Sequence, residues 1–258
     1  MNHIKELSLI ILLAGTSFMI KAQYSHPITE GTIEFERSVN KFALIQQSFG
    51  PVTSNAEREE FGRYKTSHPQ FLVQKSKLTF SKDSSLFIPS DESDQEQNTF
   101  YGKPIAEQHN IVFNDFMSGR SVTQKKIFGN TYLMTDSTRK IIWKLTNDTR
   151  EIAGYTCRRA NGVMLDSIYI VAFYTGEIAV QGGPESFSGL PGMILGVVLP
   201  HDHVSWFATK IIEETIPMKN LQVPVKGKQV TFKELVSLLK VVASNLHGVR
   251  QIPTEILY

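Results

Sequence analysis

The sequence predicts a mainly antiparallel β fold of the α+β class: a hairpin-rich sheet with a short early helix and a late amphipathic helix. Three observations carry this. Short apolar or alternating segments recur from residue 32 to residue 212, turn-forming residues separate them, and a helical period takes over only near the end. At 258 residues, 41% hydrophobic and 20% charged, the chain is ordinary for a globular protein and can bury a core in one domain. Residues 23–258 read as that single domain, without internal repeats.

Taken in order, residues 32–37 alternate, with Ile33 and Phe35 on one face and Thr32, Glu34 and Glu36 on the other, as in a strand with one wet side. Residues 54–65 then carry helix signals, Ser54 with Glu57 as a capping box and Glu59 with Arg63 at i,i+4. Residues 77–81 alternate through Leu78 and Phe80, and residues 82–85 turn the chain into Leu86, Phe87 and Ile88, which reads as a hairpin. The acidic insertion at 89–99 clusters Asp91, Glu92, Asp94 and Glu96, but it lacks the glycine and terminal glutamate of an EF-hand loop, so a solvated loop is the simpler reading.

Beyond residue 110 strands dominate. Residues 111–113 and 121–128 are β-like, Gly129-Asn130 has the form of a two-residue turn, and residues 131–134 return. Residues 140–146 place Ile141, Trp143 and Leu145 on one face. Residues 151–160 follow, then Asn161-Gly162 as a hairpin signal, then 163–175, apolar on both faces and expected near the middle of the sheet. Residues 204–212 form a further strand. At 231–246, Thr231 with Glu234 caps a helix whose apolar stripe runs through Phe232, Leu235, Val236 and Leu239 and which Gly248 closes.

The most punctuated stretch is 182–199. Four glycines and two prolines fall within 182–192, and seven residues without a polar side chain follow. Pro191 fixes its own φ and pushes Leu190 into an extended conformation, and Gly192 can supply the positive φ of a type II turn over 190–193. Gly182, Gly183 and Pro184 make a looser break, while Phe187 and Leu190 offer apolar anchors around Gly189. Residues 193–199 then suit a strand buried on both faces.

Composition bounds the setting. Lys5, an apolar run over 7–20 and Lys21-Ala22 ahead of polar residues have the layout of a secretory signal peptide, residues 1–22, cleaved after Ala22. That run is shorter than the ~20 residues a membrane span needs, and no later stretch approaches it. Cleavage removes two lysines and one glutamate and leaves a net charge of +1, which argues against nucleic-acid binding and attraction to anionic lipid. The single cysteine, Cys157, is placed neither for an internal disulfide nor for lipid attachment after a signal. The expectation is an exported protein, periplasmic or extracellular, soluble and not a lipoprotein.

The residues Trp143-Lys144-Leu145-Thr146, 152–160, Phe173-Tyr174-Thr175, Glu177-Ile178 and Gly189-Leu190-Pro191-Gly192-Met193-Ile194 resemble the GLPGLI family of exported proteins from Bacteroidetes, with Met193 where the family name has leucine. The resemblance spans 143–195. It implies an exported β-rich protein of the cell envelope and a companion role beside an outer-membrane receptor system, with an envelope protein or a small ligand as partner. It implies no reaction.

Three candidates for chemistry remain. His201-Asp202-His203 could offer two imidazoles and a carboxylate to a transition metal, with His26, His68, His109 or His247 completing the set. A polar turn is the competing reading. Cys157 reads as a small buried hydrophobe rather than a nucleophile. Ser186 and Ser188 lack the Gly-x-Ser-x-Gly form of a nucleophile elbow, so a hydrolase would be of unfamiliar type. The paired bases Lys125-Lys126 and Arg158-Arg159 read as strand residues with one member facing water. With no metalloprotease, phosphate-loop or dinucleotide motif, the sequence favours a non-enzymatic binding protein, without an obligatory cofactor, over an enzyme.

Overall fold

In the computed structural model, residues 26–49, 54–90, 99–100, 103–104, 109–127 and 129–245 are described. The signal peptide, the acidic stretch at 91–98, His247 and Gly248 lie outside them. One twelve-stranded sheet organises the chain, and all but one of its pairings are antiparallel. Its N-terminal strand β1 (Gly31–Asn40) is central, between β2 (Phe71–Phe80) and β13 (Val204–Glu213). Beyond β2 follow β3 (Ser84–Pro89), β6 (His109–Asp115), β7 (Arg120–Ile127), β8 (Asn130–Ser137) and the parallel edge β14 (Lys228–Val230). Beyond β13 follow β12 (Met193–Leu199), β11 (Ile168–Thr175), β10 (Tyr155–Met164) and β9 (Ile142–Ile152) at the other edge. A separate two-strand ladder joins β4 (Thr99–Phe100) and β5 (Lys103–Pro104).

The sheet is curled. Between β11 and β8 lie eight inter-strand steps, about 38 Å on a flat sheet at ~4.8 Å per strand. Yet Leu165, at the β10–β11 turn, and Ser137, at the end of β8, line the same small cleft. Curvature of that degree makes an inner face. On β1 it receives Ile33, Phe35, Arg37 and Val39, all buried, while Glu34 and Glu36 face out. The apolar core covers the inner face over β1 and β10–β13, and Trp206 and Phe187 meet edge to face at 5.6 Å between ring centroids.

Among the described residues three helices accompany the sheet. Helix α1 (Lys41–Phe49), absent from the sequence reading, begins at Asn40, whose Oδ1 accepts from the Ala43 N–H at 3.2 Å. Helix α2 (Asn55–Ser67) starts with the expected capping box: the Ser54 and Glu57 amides each donate to the other's side chain at 3.2 Å. It packs Phe61 and Tyr64 against Ile45 of α1. Helix α3 (Phe232–Asn245) carries the Thr231–Glu234 box. Among the described residues no helix is long and apolar enough to cross a membrane.

Turn chemistry supplies the corrections. Asn161-Gly162 is not a hairpin turn but the middle of β10, where Asn161 pairs with Val171 and Lys144, and Gly162 with Ile170 and Trp143. A Cβ on Gly162 would meet the Trp143 ring at 2.6 Å, so this glycine makes room for an indole laid across the strand. The real turns use other residues. Ala153 and Gly154, at φ 49° and 87°, close the two-residue β9–β10 hairpin as a type I′ turn requires, and Leu165 and Asp166, at 50° and 63°, close the next. Residues 142–146 and 151–152 thus belong to one strand, and the run 163–175 is split by a turn. Likewise Asn130 pairs with Ile127 and is a strand residue rather than part of the turn.

Gly162→Ala is expected to cost about 1–3 kcal/mol by overpacking and to shift the Trp143 contribution to fluorescence, read by denaturant melts with emission spectra. An unchanged spectrum and midpoint would show that the indole moves aside freely.

Candidate functional site

The site is built by the segment between β11 and β12, residues 176–192, which crosses the inner face. Its path is held at both ends. The Met193 amide donates to the Ile178 carbonyl at 3.1 Å and the Ile194 amide to the Gly182 carbonyl at 2.8 Å. Phe187 and Leu190 are both fully buried, an anchorage of roughly 1.5–3 kcal/mol per side chain, and Trp143 Nε1 donates to the Ser188 carbonyl at 3.0 Å. The type II turn expected over 190–193 is not formed. Instead the Gly192 amide donates to the Leu190 carbonyl at 2.8 Å, a three-residue γ-turn about Pro191. Gly192 does take positive φ, at 146°, and it faces the Thr175 carbonyl so closely that an added Cβ would lie 2.1 Å from that oxygen.

Gly182, Gly183, Pro184 and Gly189 shape this path, and their effect is to place Glu185 and Ser186 inside the protein. Glu185 sits at φ 52°, a strained setting for a non-glycine residue, and is 2% exposed. Asn110 Nδ2 of β6 donates to its Oε2 at 3.0 Å. Directly across the ladder from Asn110 stands Lys125 of β7, also buried. Arg37 of β1 is buried as well, with Nη1 donating to Gln74 Oε1 at 2.6 Å and its guanidinium 5.5 Å from the Trp206 ring centroid. Three cations, Lys125, Arg37 and Arg139, therefore act on one buried carboxylate.

Burial dominates the protonation of this group. It pulls the Lys125 ammonium down to about 7, against the attraction of Glu185 and together with repulsion from Arg139 and Arg37. It pushes the Glu185 carboxyl up to about 7, against the Asn110 hydrogen bond and the three cations. Arg139 is lowered to about 10 by burial, with Asp136 and Glu185 opposing.

From this cluster the inner face opens into a cleft of about 80 Å³. Ser121 and Thr123 of β7, Met134, Asp136 and Ser137 of β8, Arg139 just beyond it, Leu165, Ser186 of the crossing segment and Phe232 of α3 line it. By the usual space per molecule that is room for several waters. Ser186 Oγ is buried with no hydrogen-bond partner, and so are Ser76 Oγ, Ser85 Oγ and Asn114 Nδ2 on the same face. Arg139 packs its guanidinium 5.5 Å from the Phe232 ring centroid and makes no salt bridge among the described residues.

The other sequence candidates lie elsewhere. His201 and His203 are exposed, residues Pro200–Asp202 form a single 3-10 turn, and His203 is left-handed at φ 54°, so the extended geometry that would aim both imidazoles one way does not exist. Asp202 between them is buried. Among the described residues no group of three or more His, Cys, Asp or Glu could hold a metal ion. Cys157 is buried in β10 and burial pushes its thiol up to about 12, with Glu151 and Glu177 adding to the shift. It should resist iodoacetamide in the native state at pH 8 and react on unfolding, which mass spectrometry of the alkylated protein checks; native labelling would place the thiol on an open surface.

Sequence reasoning missed Glu185, Arg37, Arg139 and Asn110, and took Lys125 only as half of a basic pair. Of that pair Lys126 does face water. The available signal was alternation: Ser121, Thr123 and Lys125 share the face of β7 opposite Asn114, Val112 and Asn110, which makes a polar inner stripe.

Residues 162–196 match the model of a family described as "Protein of unknown function (Porph_ging)". No curated protein matches. Among solved structures the chain is similar to PNGF-II in two crystal forms, at TM-scores of 0.47 and 0.48 and identities of 16% and 14% over 78% and 81% of this chain. It spans 32% of the PNGF-II chain in each case. It is also similar to an uncharacterised conserved protein from Thermus thermophilus, at a TM-score of 0.39 and 5% identity over 79% of this chain and 91% of that one. The family match runs from Gly162 under the Trp143 ring to Gly196 in β12, so the segment shared with this Bacteroidetes-associated family of unknown function is the one that carries Glu185 and Ser186 into the site.

Proposed function

We propose that the protein is a non-enzymatic binding protein of the bacterial cell envelope, exported by an N-terminal signal peptide, which holds a small polar ligand in the cleft beside Ser186. The observation that carries this reading is the cleft itself. A segment anchored at both ends roofs an inner face whose wall sets hydroxyls, a carboxylate and a guanidinium among the apolar side chains of Met134, Leu165 and Phe232. Preformed concave sites with a few convergent polar groups are what small ligands use. Neither Ser186, whose Oγ has no hydrogen-bond partner, nor Cys157, whose thiol is held protonated, is activated as a nucleophile by a neighbouring base.

The envelope setting rests on the signal-peptide layout, on the resemblance to the GLPGLI family and on the match to a Bacteroidetes-associated family model. Membership of the GLPGLI family and a companion role beside an outer-membrane receptor are parts of the same proposal. Crosslinking in intact cells followed by mass spectrometry tests it, and the expected result is an envelope protein or small ligand joined to this chain. Repeated recovery of nothing above background, or localisation to the cytoplasm on fractionation, would overturn it.

A further inference from the structure

We infer that the cleft between β7, the end of β8 and the 176–192 segment is a site for a small oxyanion, a carboxylate or phosphate group held by the Arg139 guanidinium and the Ser186 hydroxyl. This rests on the binding-protein reading and names its ligand class. Three observations converge on it.

The first is the pairing state of the lining groups. Arg139 lines the cleft with its guanidinium against the Phe232 ring and without a salt bridge among the described residues. A planar fork of five donors so placed fits a planar or tetrahedral oxyanion in two-point contact. The second is Ser186 Oγ, which is buried, lines the same cleft and has no hydrogen-bond partner. An orphaned buried hydroxyl is destabilising unless a partner satisfies it, and the segment that places it there is fixed by backbone hydrogen bonds on both sides. The third is the chemistry of the rest of the wall. Ser121 and Thr123 add two hydroxyls that can donate to an anion, while the Ser137 hydroxyl donates to Asp136.

Asp136 sets the limits of the site. Its carboxylate also borders the cleft and attracts Arg139, so an anion must share that guanidinium with it. Asp136 is itself exposed, and its Oδ1 accepts from the Ser137 amide at 2.7 Å. A cleft of about 80 Å³ takes one such group and leaves the remainder of a larger molecule outside. The recognised ligand is therefore an anionic terminus: a carboxylate-ended or phosphorylated molecule gripped by its end.

The test uses the mature protein with inorganic phosphate, acetate and sodium chloride at matched ionic strength, read by calorimetry and by thermal unfolding. The expected result is saturable stabilisation by phosphate or acetate beyond that of chloride, at least tenfold weaker binding in Ser186→Ala and none in Arg139→Gln. Lys126→Gln, an exposed neighbour in β7, should bind as the parent does. The stronger of the two anions distinguishes a phosphorylated from a carboxylate-ended ligand. Stabilisation equal to that of chloride in all proteins, or anion binding equally strong in Ser186→Ala and the parent, would overturn the assignment. Should Arg139→Gln fail to fold, Ser186→Ala decides alone. A panel of neutral sugars and amides run in parallel separates the two readings: binding of a neutral compound that Ser186→Ala abolishes keeps the binding protein and removes the oxyanion.

Discussion

Gly192→Ala is expected to lower unfolding stability by about 4 kcal/mol, combining ~1–3 for a side chain at strongly positive φ with ~1–3 for overpacking. The added Cβ would fall 2.1 Å from the Thr175 carbonyl oxygen, which is backbone of a buried strand and cannot rotate away. Relief must come from displacing the Pro191 turn, and with it the Met193–Ile178 and Ile194–Gly182 hydrogen bonds that hold the crossing segment. Chemical denaturation measures the loss. Gly62→Ala is the internal control, because nothing lies within 4 Å of the Cβ it would add in α2; it should gain about 0.5–1 kcal/mol from helix propensity. A Gly192→Ala loss no greater than about 1 kcal/mol, the low end of either contribution alone, would show that the segment yields, and with it the rigid placement of Ser186.

The second large effect has the opposite sign. Glu185→Gln combined with Lys125→Met is expected to raise stability near pH 7 by about 1–4 kcal/mol, because a buried ion pair rarely recovers its desolvation cost. The pH dependence follows from the two shifts. Glu185 is raised to about 7, so its contribution is full below its ordinary value of 4.5 and is lost as pH rises through 7. Lys125 is lowered to about 7, so its contribution is full above its ordinary value of 10.5 and is lost as pH falls through 7. Both losses overlap around neutrality. The advantage of the double variant should therefore peak near pH 7 and shrink toward pH 4.5 and pH 10.5, in denaturant melts at the three values. A double variant less stable than the parent at pH 7 would mean that the pair is net favourable as built. Charges retained at a stability cost are characteristic of sites under functional demand.

Where the sequence was legible, one physical signal dominated. Alternation located β1 and the end of β2 because one face of each is buried and the other wet, and the Thr231 and Ser54 boxes located two helices because capping is local chemistry. Failures came where a local signal had a non-local cause. Asn161-Gly162 has the composition of a tight turn, but Gly162 is there for the Trp143 ring, which comes from a different strand. Helix α1 has a cap at Asn40 but no acidic first turn, so residues 41–49 gave little local signal of a helix.

The site was illegible for a related reason. Glu185 sits between Pro184 and Ser186 in a segment whose glycines and prolines pointed to shape alone, and Lys125 has a basic neighbour that does face water. Their meeting depends on a sheet curled until residues from both wings share one cleft, and no window of sequence contains that curvature. At His201 and His203 a pattern of ligand types is present without the extended backbone that would aim both imidazoles one way.

The central place of β1 sets the order in which the molecule can be completed. Gly31 pairs with Phe80 on one side and with Glu213 on the other, so the first strand made must wait for one of the last before its second edge is covered. Contacts between such distant parts of a chain close slowly, on the order of milliseconds to seconds. Until residues 204–213 arrive, the half of the sheet that holds Lys125 and Asn110 exists without the segment that brings Glu185 to them. The polar inner face is therefore wetted during assembly and sealed last.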